Sequence, residues 1–181
     1  MANLLAIEAA SDSCSVALQI DNKVIERTEA APRMHSRLLY PMLNTLMQEA
    51  GITPNQLDAV IFGKGPGSFT GVRIAAGVAQ GLAFGAGCPV YAISNLEALA
   101  LQCFREQGIE HVLVAVDARM DEVYWSLCRV EEEIHHDGKV ELKVHVLAGE
   151  SVNKPELVDL SGVELSQGFV GIGSGFDFIE R

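Results

Sequence analysis

The chain is poor in basic residues. Its 181 residues contain 13 lysines and arginines against 24 aspartates and glutamates, which gives a formal net charge of -11. An acidic surface repels phosphate backbones, and non-specific affinity for nucleic acid depends on basic side chains that neutralise phosphates. The composition therefore argues against a protein that grips a nucleic acid alone. A process that involves one would need a basic partner for most of the contact.

Long apolar runs are also lacking. The longest weakly polar stretch, from Ile74 to Ile93, is interrupted by Gln80, several glycines and Pro89, so it is not expected to span a membrane. No basic start followed by an apolar stretch resembles a signal peptide, because residues 1–4 lead directly into a strand-like segment. These absences predict a cytoplasmic protein.

The cysteines form no Cys-x-x-Cys pair, and each lies inside an apolar segment. Scattered cysteines of this kind are typical of reduced, buried thiols, and not of a disulfide framework or a zinc site. The four are Cys14, Cys88, Cys103 and Cys128.

A glycine-rich segment, Gly65 to Arg73, stands between the strand-like run Asp58–Phe62 and a long Ala/Gly-rich segment. Glycines adopt backbone angles that other residues resist, and Ser68 or Thr70 can cap the helix that follows. Such a turn can hold an anion or a partner's chain, or it can be a tight connection without a ligand. It is not a P-loop, because it lacks the closing Gly-Lys-Ser/Thr. The residues of interest are Gly65, Gly67, Ser68, Thr70, Gly71 and Arg73.

Apolar periodicity predicts the elements of the first half. Strands are expected at Leu4–Ala9, Cys14–Ile20, Lys23–Ala30, Ala59–Phe62, Val90–Ile93 and Val112–Val116. Helices are expected at Ser36–Ala50, Thr70–Gly85 and Asn95–Gln107. The order is three strands followed by alternating helices and strands.

The second half has a weaker pattern. Glu122–Val130 and Val140–Leu147 alternate as strands do, with a charged loop expected between them at residues 131–138. Phe169–Ile172 predicts a last short strand, after which Gly173-Ser174-Gly175 is expected to open a helix. His135 and His136 are adjacent on an exposed turn and point apart, and no nearby His or Cys completes a ligand set. No metal site is therefore predicted.

Three segments together resemble one protein family. Leu5-Ala6-Ile7-Glu8, the glycine turn and Val116-Asp117-Ala118-Arg119-Met120 occur in the order found in the TsaB (YeaZ) family of bacterial tRNA threonylcarbamoyladenosine synthesis. The resemblance implies an α/β protein of the actin-like ATPase (ASKHA) fold, with two related lobes of mixed sheet and helices. The lobes are expected at residues 1–108 and 109–181. Family members usually continue for several tens of residues, so the second lobe is expected to be truncated.

In enzymes of this fold two turns hold ATP phosphates, and the resemblance places them here at residues 9–14 and 117–120. The second turn reads Asp117-Ala118-Arg119 where the enzymes have Asp-x-Gly, which leaves less room for a phosphate. Arg119 has a competing use as an ion-pair partner of Asp117, Asp121 or Glu122. No tightly bound cofactor is expected, although ATP can belong to the assembled complex. The candidate nucleotide-binding residues are Glu8, Ser11, Asp12, Asp117, Arg119, Gly173 and Gly175.

The resemblance also implies that the chain is not catalytic. The catalytic paralogue of the family, TsaD, carries two histidines four residues apart on one helix face, where both can ligate a metal. Asn95 and Leu99 occupy the matching positions, and a leucine cannot be a ligand. Two alternatives remain: an ATP-dependent small-molecule kinase of the same fold and a homologue of the M22 metallopeptidases. The first would need intact phosphate glycines and the second a histidine pair.

Two helices are expected to form an interaction surface. Apolar residues of Ser36–Ala50 cover roughly half of the helix, wider than the ~100° stripe that docks on a sheet, and Thr70–Gly85 carries a ridge of small residues with Gly77 and Gly81 beside it. In the family these helices pack against TsaD or a second copy. The resemblance implies a heterodimer with TsaD, joined by TsaE, a homodimer when alone, indirect contact with tRNA, and no membrane. The expected interface residues are Leu38, Leu39, Met42, Leu43, Leu46, Met47, Gly71, Ala75, Ala79 and Ala83.

Overall fold

Three strands with alternating side chains begin the first sheet. The computed structural model describes residues 2–30, 32–161, 163 and 168–180. In it β1 (Leu4–Glu8), β2 (Ser13–Ile20) and β3 (Lys23–Ala30) form an antiparallel meander. The strands β4 (Ala59–Gly63) and β5 (Val90–Ile93) join β1 in parallel, which gives the order β3-β2-β1-β4-β5. All five strands were predicted.

Two helices cover the apolar face of this sheet. The helix α1 (His35–Ala50) buries residues at helical spacing, and α2 (Phe69–Ala86) buries mostly alanines, so its backbone lies close to the sheet. Both share one core with Leu5, Ile7 and the buried residues of β2. A single turn of 3-10 helix, Pro54–Gln56, precedes β4.

A second sheet follows the helix α3 (Asn95–Gln107). The strands β6 (His111–Arg119), β7 (Glu122–Ile134) and β8 (Val140–Asn153) are antiparallel neighbours, and β9 (Val170–Ile172) pairs with β6 in parallel. The order is β8-β7-β6-β9. Two 3-10 segments, Pro155–Leu157 and Ser174–Glu180, complete the described elements. The second of these lies where a helix was expected after Gly173.

Side chains on both faces of the second sheet are buried. On one face, α3 packs Leu96, Ala100 and Cys103 against Val112 and Val114. On the other face, Trp125 and its neighbours pack under the segment that follows β8 and under the ring of Phe176. Alternation along β6 and β7 produces these two cores.

The position of α3 corrects the predicted division of the chain. Residues cluster into two units, 1–94 and 95–181, whereas the sequence placed the boundary after residue 108. The reason is packing: the buried stripe of α3 faces the second sheet, so the helix belongs to the second unit.

The predicted loop at residues 131–138 is also wrong in extent. Residues Glu131–Ile134 continue β7 and pair with β8, and the turn is closed by His135 N–H donating to the Lys139 carbonyl at 2.8 Å. Opposite charges occur on the facing strands of this ribbon, where Glu131 lies opposite Lys143. The Lys143 ammonium pairs with the Glu133 carboxylate across the two strands, and such cross-strand pairs stabilise a ladder.

All four cysteines are free, as predicted. Cys14 lies in the core of the first unit, and Cys103 and Cys128 lie in the core between α3 and the second sheet. Burial raises the pKa of each of these three residues, hereafter the three buried thiols. Cys88 is half-buried. Within the described residues, no helix is both long and apolar enough to cross a membrane.

Candidate functional site

The glycine turn packs against the loop that follows β1. Ser68 N–H donates to the Ala10 carbonyl at 2.7 Å. A Cβ atom added to Gly67 would lie 2.4 Å from the same carbonyl oxygen, and one added to Gly71 would lie 1.8 Å from the Ala9 oxygen. The lack of a side chain at Gly67 and Gly71 therefore lets the backbone of Ala9 and Ala10 pack directly against the turn. Of the two interpretations of the turn, this geometry favours a tight connection over a ligand site.

The helix start that follows is capped as expected. Gly71 N–H donates to the Ser68 hydroxyl at 3.3 Å, so Ser68 satisfies one of the free N–H groups of α2. Gly65 is buried, and a Cβ atom there would lie 3.3 Å from the Val72 side chain. Contacts of Gly65 with Val72 and of Ser68 with Gly71 thus hold the turn against the start of α2.

Thr70 and Arg73 are exposed on the first turns of α2. The Arg73 guanidinium lies 3.4 Å from the centre of the Phe69 ring and donates to the Phe69 carbonyl at 3.0 Å. A cation over an aromatic face at an exposed site contributes about 0.5–1 kcal/mol. Arg73 and Phe69 together form an exposed pair at the start of the helix.

The first phosphate-turn candidates are used to close their own loop. The Glu8 carboxylate accepts a hydrogen bond from Ala10 N–H at 2.5 Å, and the Ser11 hydroxyl accepts one from Ser13 N–H at 3.2 Å. His35 Nε2 lies 2.9 Å from the Ser11 carbonyl oxygen, which ties the start of α1 to this loop. Asp12 is exposed. Sequence reasoning missed His35, because a single histidine before a helix carries no recognisable signal.

The second phosphate-turn candidates come together within the second unit. Asp117 N–H donates to the Ser174 hydroxyl at 3.1 Å, and a Cβ atom on Gly173 would lie 2.2 Å from the Ala115 oxygen. Gly175 is also close, with its added Cβ 2.9 Å from Ala115. The two glycines therefore allow the chain after β9 to pack on β6.

Arg119 folds back on Asp117. Its N–H donates to the carboxylate at 2.7 Å, and its guanidinium lies 3.6 Å from the other carboxylate oxygen. The predicted local ion pair is thus confirmed with Asp117 as the partner. The pair is exposed and contributes little stability, but it places a cation beside the carboxylate.

The turn from β6 to β7 is strained. Arg119, Met120 and Asp121 have φ values of 67°, 58° and 60°, a conformation that costs a residue with a side chain about 1–2 kcal/mol. Two-residue hairpins favour this twist but normally use Asn and Gly. The Met120 side chain is 89 % exposed, so no buried contact compensates for the strain.

The predicted interface residues lie in the core of the first unit. Leu39, Met42 and Leu43 on α1 are at most 5 % exposed, and Ala75 and Ala79 on α2 are fully buried. The apolar face of α1 is wide because it packs on both the sheet and α2. The same applies to the remaining predicted residues, which are buried or half-buried: Leu38, Leu46, Met47, Gly71 and Ala83. The prediction that these side chains contact a partner directly is therefore corrected, because they pack inside the first unit.

The exposed face of the same two helices carries different residues. Gly77, Gly81 and Gly85 recur every four residues on α2, and a Cβ atom at any of them would meet nothing within 4 Å. Beside them Phe84 is 92 % exposed. We call these four residues the α2 outer face.

A groove lies between the two helices. It encloses about 530 Å³ and is lined by Tyr40, Pro41, Leu43, Asn44, Met47 and Leu82. Tyr40 is more than half exposed at its edge. The groove brings apolar side chains of both helices to the surface. Leu82, one of its lining residues, follows Gly81 of the α2 outer face in the sequence.

A second cavity, of about 630 Å³, lies in the second unit. Its walls include Leu113, Val123, Trp125 and Phe176, and Lys154 is among its charged lining residues. The Trp125 indole N–H donates to the Asn153 side-chain oxygen at 2.9 Å. The cavity is mainly apolar, of a size that suits a side chain or a small molecule.

The chain is similar to proteins of one bacterial family. Residues 20–162 match the TsaD family model, described as tRNA N6-adenosine threonylcarbamoyltransferase. The relative from Haemophilus influenzae, named tRNA threonylcarbamoyladenosine biosynthesis protein TsaB, is 44 % identical over 84 % of this chain and 64 % of its own length. The protein of the same name from Escherichia coli is 40 % identical over 96 % of this chain and 71 % of its own length.

A solved structure agrees with these matches. YeaZ from Pseudomonas aeruginosa superposes with a TM-score of 0.83 at 41 % identity, covering all of this chain and 80 % of that one. The chain thus spans about two thirds of the length of the curated relatives. The match and the two mixed sheets confirm the predicted actin-like α/β fold.

Proposed function

The chain belongs to the TsaB (YeaZ) family, and we propose that it is a non-catalytic subunit for the biosynthesis of threonylcarbamoyladenosine in tRNA. In this role it binds TsaD, and with it TsaE, and supports transfer of the threonylcarbamoyl group to adenosine 37 of tRNAs that read codons beginning with A. These partners are inferred from the resemblance of the sequence motifs to the family. The exposed sides of the helices in the first unit offer the surface on which a partner would bind.

The proposal that the chain is not catalytic rests on particular side chains. Leu99 stands where TsaD has a metal-binding histidine, and it packs against the core beside Leu96. Neither phosphate turn presents a free cradle: Ser68 N–H is bonded to the first loop, and the Arg119 side chain lies against Asp117. These contacts favour a binding subunit over a kinase or a metallopeptidase.

Contact with tRNA is assigned to the partners. A net charge of -11 opposes the counterion release on which phosphate binding depends. The same charge favours association with a basic protein surface. The chain therefore positions TsaD and does not itself hold the nucleic acid.

One observation carries the proposal most directly, namely the α2 outer face. Three glycines at a spacing of four residues let a partner helix approach the backbone closely, and a Phe84 ring that is 92 % exposed has no core to pack into. Large aromatic residues are frequent anchors of protein interfaces. This face can take TsaD, or a second copy of the chain when TsaD is absent.

The test places a large charge on the α2 outer face without disturbing the monomer. Gly81→Arg adds a side chain that points into open space, and burying its charge without a partner would cost several kcal/mol in a complex. We expect a folded chain that captures TsaD more than about a hundredfold less well and no longer supports tRNA modification in a reconstituted assay. Phe84→Ala should weaken capture to a smaller extent.

The matched control is Ala98→Arg, which adds the same charge to an exposed position of α3 and should leave capture unchanged. If Gly81→Arg remains folded by circular dichroism and still binds TsaD as the parent does, the interface lies elsewhere.

Nucleotide binding separates the proposal from the kinase alternative. Calorimetry of the isolated chain with ATP or ADP should show weak binding or none, because both phosphate turns are engaged by the chain itself. A micromolar dissociation constant that is lost in Asp12→Ala would favour a kinase instead.

A further inference from the structure

The far end of the β7–β8 ribbon brings together three metal-ligating side chains. Glu133 lies directly opposite Glu141 in the strand register, and His135 follows Glu133 by two residues, on the same face of the ribbon. Sequence reasoning missed the group because its members come from two strands, whose register the sequence alone does not show.

Distances within the group suit a single ion. One donor atom from each of Glu133, His135 and Glu141 lies within 4.8 Å of the others, and His135 Nε2 is 2.8 Å from a Glu141 oxygen. Antiparallel pairing places the Cα atoms of Glu133 and Glu141 opposite each other, because both residues are in regular strands on either side of a closed turn. All three side chains are exposed and reachable from solvent.

The donor set is more than an acidic cluster, because it includes an imidazole nitrogen. One histidine with two carboxylates is a set that Zn²⁺ accepts, with water in the remaining position. Mg²⁺ and Ca²⁺ prefer oxygen ligands only. A cation already lies beside the group: the Lys143 ammonium pairs with Glu133 and lowers the pKa of that carboxyl, mainly through their hydrogen bond.

We propose that Glu133, His135 and Glu141 form a surface site for a divalent transition metal of the Zn²⁺ class. The ion would join β7 to β8 next to the turn and would displace the Lys143 ammonium from Glu133. This site is independent of the proposed interface on α2, so a failure of either leaves the other standing.

The experiment titrates the tag-free chain with Zn²⁺ alone in calorimetry, and with Co²⁺ for a visible absorption signal of the bound ion. His135→Gln and Glu141→Gln each remove one ligand from an exposed position, so folding should be retained. His136→Gln is the matched control, because it removes the neighbouring imidazole from the same turn. Lys143→Gln removes the resident cation.

The site is supported if the parent binds one Zn²⁺ and the affinity falls at least tenfold in His135→Gln and Glu141→Gln, which is the loss that even an outer-shell partner causes. His136→Gln should bind as the parent does, Lys143→Gln should bind more tightly, and excess Mg²⁺ should not compete. The proposal is overturned if the parent binds no Zn²⁺, if His135→Gln binds as tightly as the parent, or if His136→Gln alone abolishes binding.

Discussion

Two alanine substitutions in one helix should change stability in opposite directions. Gly71 and Gly77 both lie in α2, and alanine is favoured over glycine in a helix by roughly 0.5–1 kcal/mol. At Gly77 a Cβ atom meets nothing within 4 Å, so Gly77→Ala should raise the free energy of unfolding by about that amount.

At Gly71 the same Cβ atom would lie 1.8 Å from the Ala9 oxygen and 2.9 Å from the Ala9 carbonyl carbon. Backbone cannot yield as a flexible side chain does, so the helix start must move away from the loop after β1. Overpacking costs about 1–3 kcal/mol, and loss of the Ser68–Ala10 hydrogen bond adds about 1 kcal/mol. After the helix preference is subtracted, Gly71→Ala should lower the free energy of unfolding by about 2 kcal/mol.

Urea denaturation followed by far-ultraviolet circular dichroism measures both changes, since α1 and α2 supply much of the helix signal. The single tryptophan, Trp125, lies in the second unit, so its fluorescence serves as an internal reference in the same samples. The reasoning is refuted if Gly71→Ala is as stable as the parent, because the close approach to Ala9 would then not constrain the turn.

Four further outcomes are expected. Met42→Glu should unfold the first unit in the same denaturation assay, because the side chain is 5 % exposed in the core and an unpaired buried charge costs several kcal/mol. The double change Met120→Asn with Asp121→Gly should raise the free energy of unfolding by about 1–2 kcal/mol, because it relieves left-handed strain at exposed positions. Burial raises the pKa of the three buried thiols, so at high pH the folded state keeps protons that the unfolded state loses. The free energy of unfolding should therefore fall as pH rises above about 8.5. Alkylation of the folded chain should modify the half-buried Cys88 first.

The sequence predicted most elements because their local patterns are strong. The strands of the first sheet alternate clearly, and Ser68 and the glycines around it mark the start of α2. The boundary near α3 was wrong because apolar spacing identifies a buried stripe without saying which sheet it faces. The length of β7 was wrong because charged residues such as Glu131 and Glu133 pair across strands, and a partner strand is not visible in a local window.

Site residues were harder to predict for a related reason. A wide apolar face on α1 has the same pattern whether it packs on a partner or on α2, so Met42 and Leu43 were assigned outward although they are buried. The phosphate-turn candidates remain predictions, and the hydrogen bonds that the Glu8 and Asp117 carboxylates accept from neighbouring backbone depend on loop geometry that a local pattern does not show. The two helices of the proposed surface were predicted from the sequence, and the structure shows which side of each helix is exposed.

The long ribbon of β7 and β8 has a consequence for how the chain tolerates change. Beyond Val130, within the described residues, the two strands pair only with each other, and Ile134 and Val140 at the end are both more than half exposed. Amide protons there should exchange through local fraying, independently of unfolding of the second core. A peptide inserted at Asp137-Gly138 would extend a turn that supports no core residue, so this ribbon is the natural place to graft an epitope or a fluorescent label.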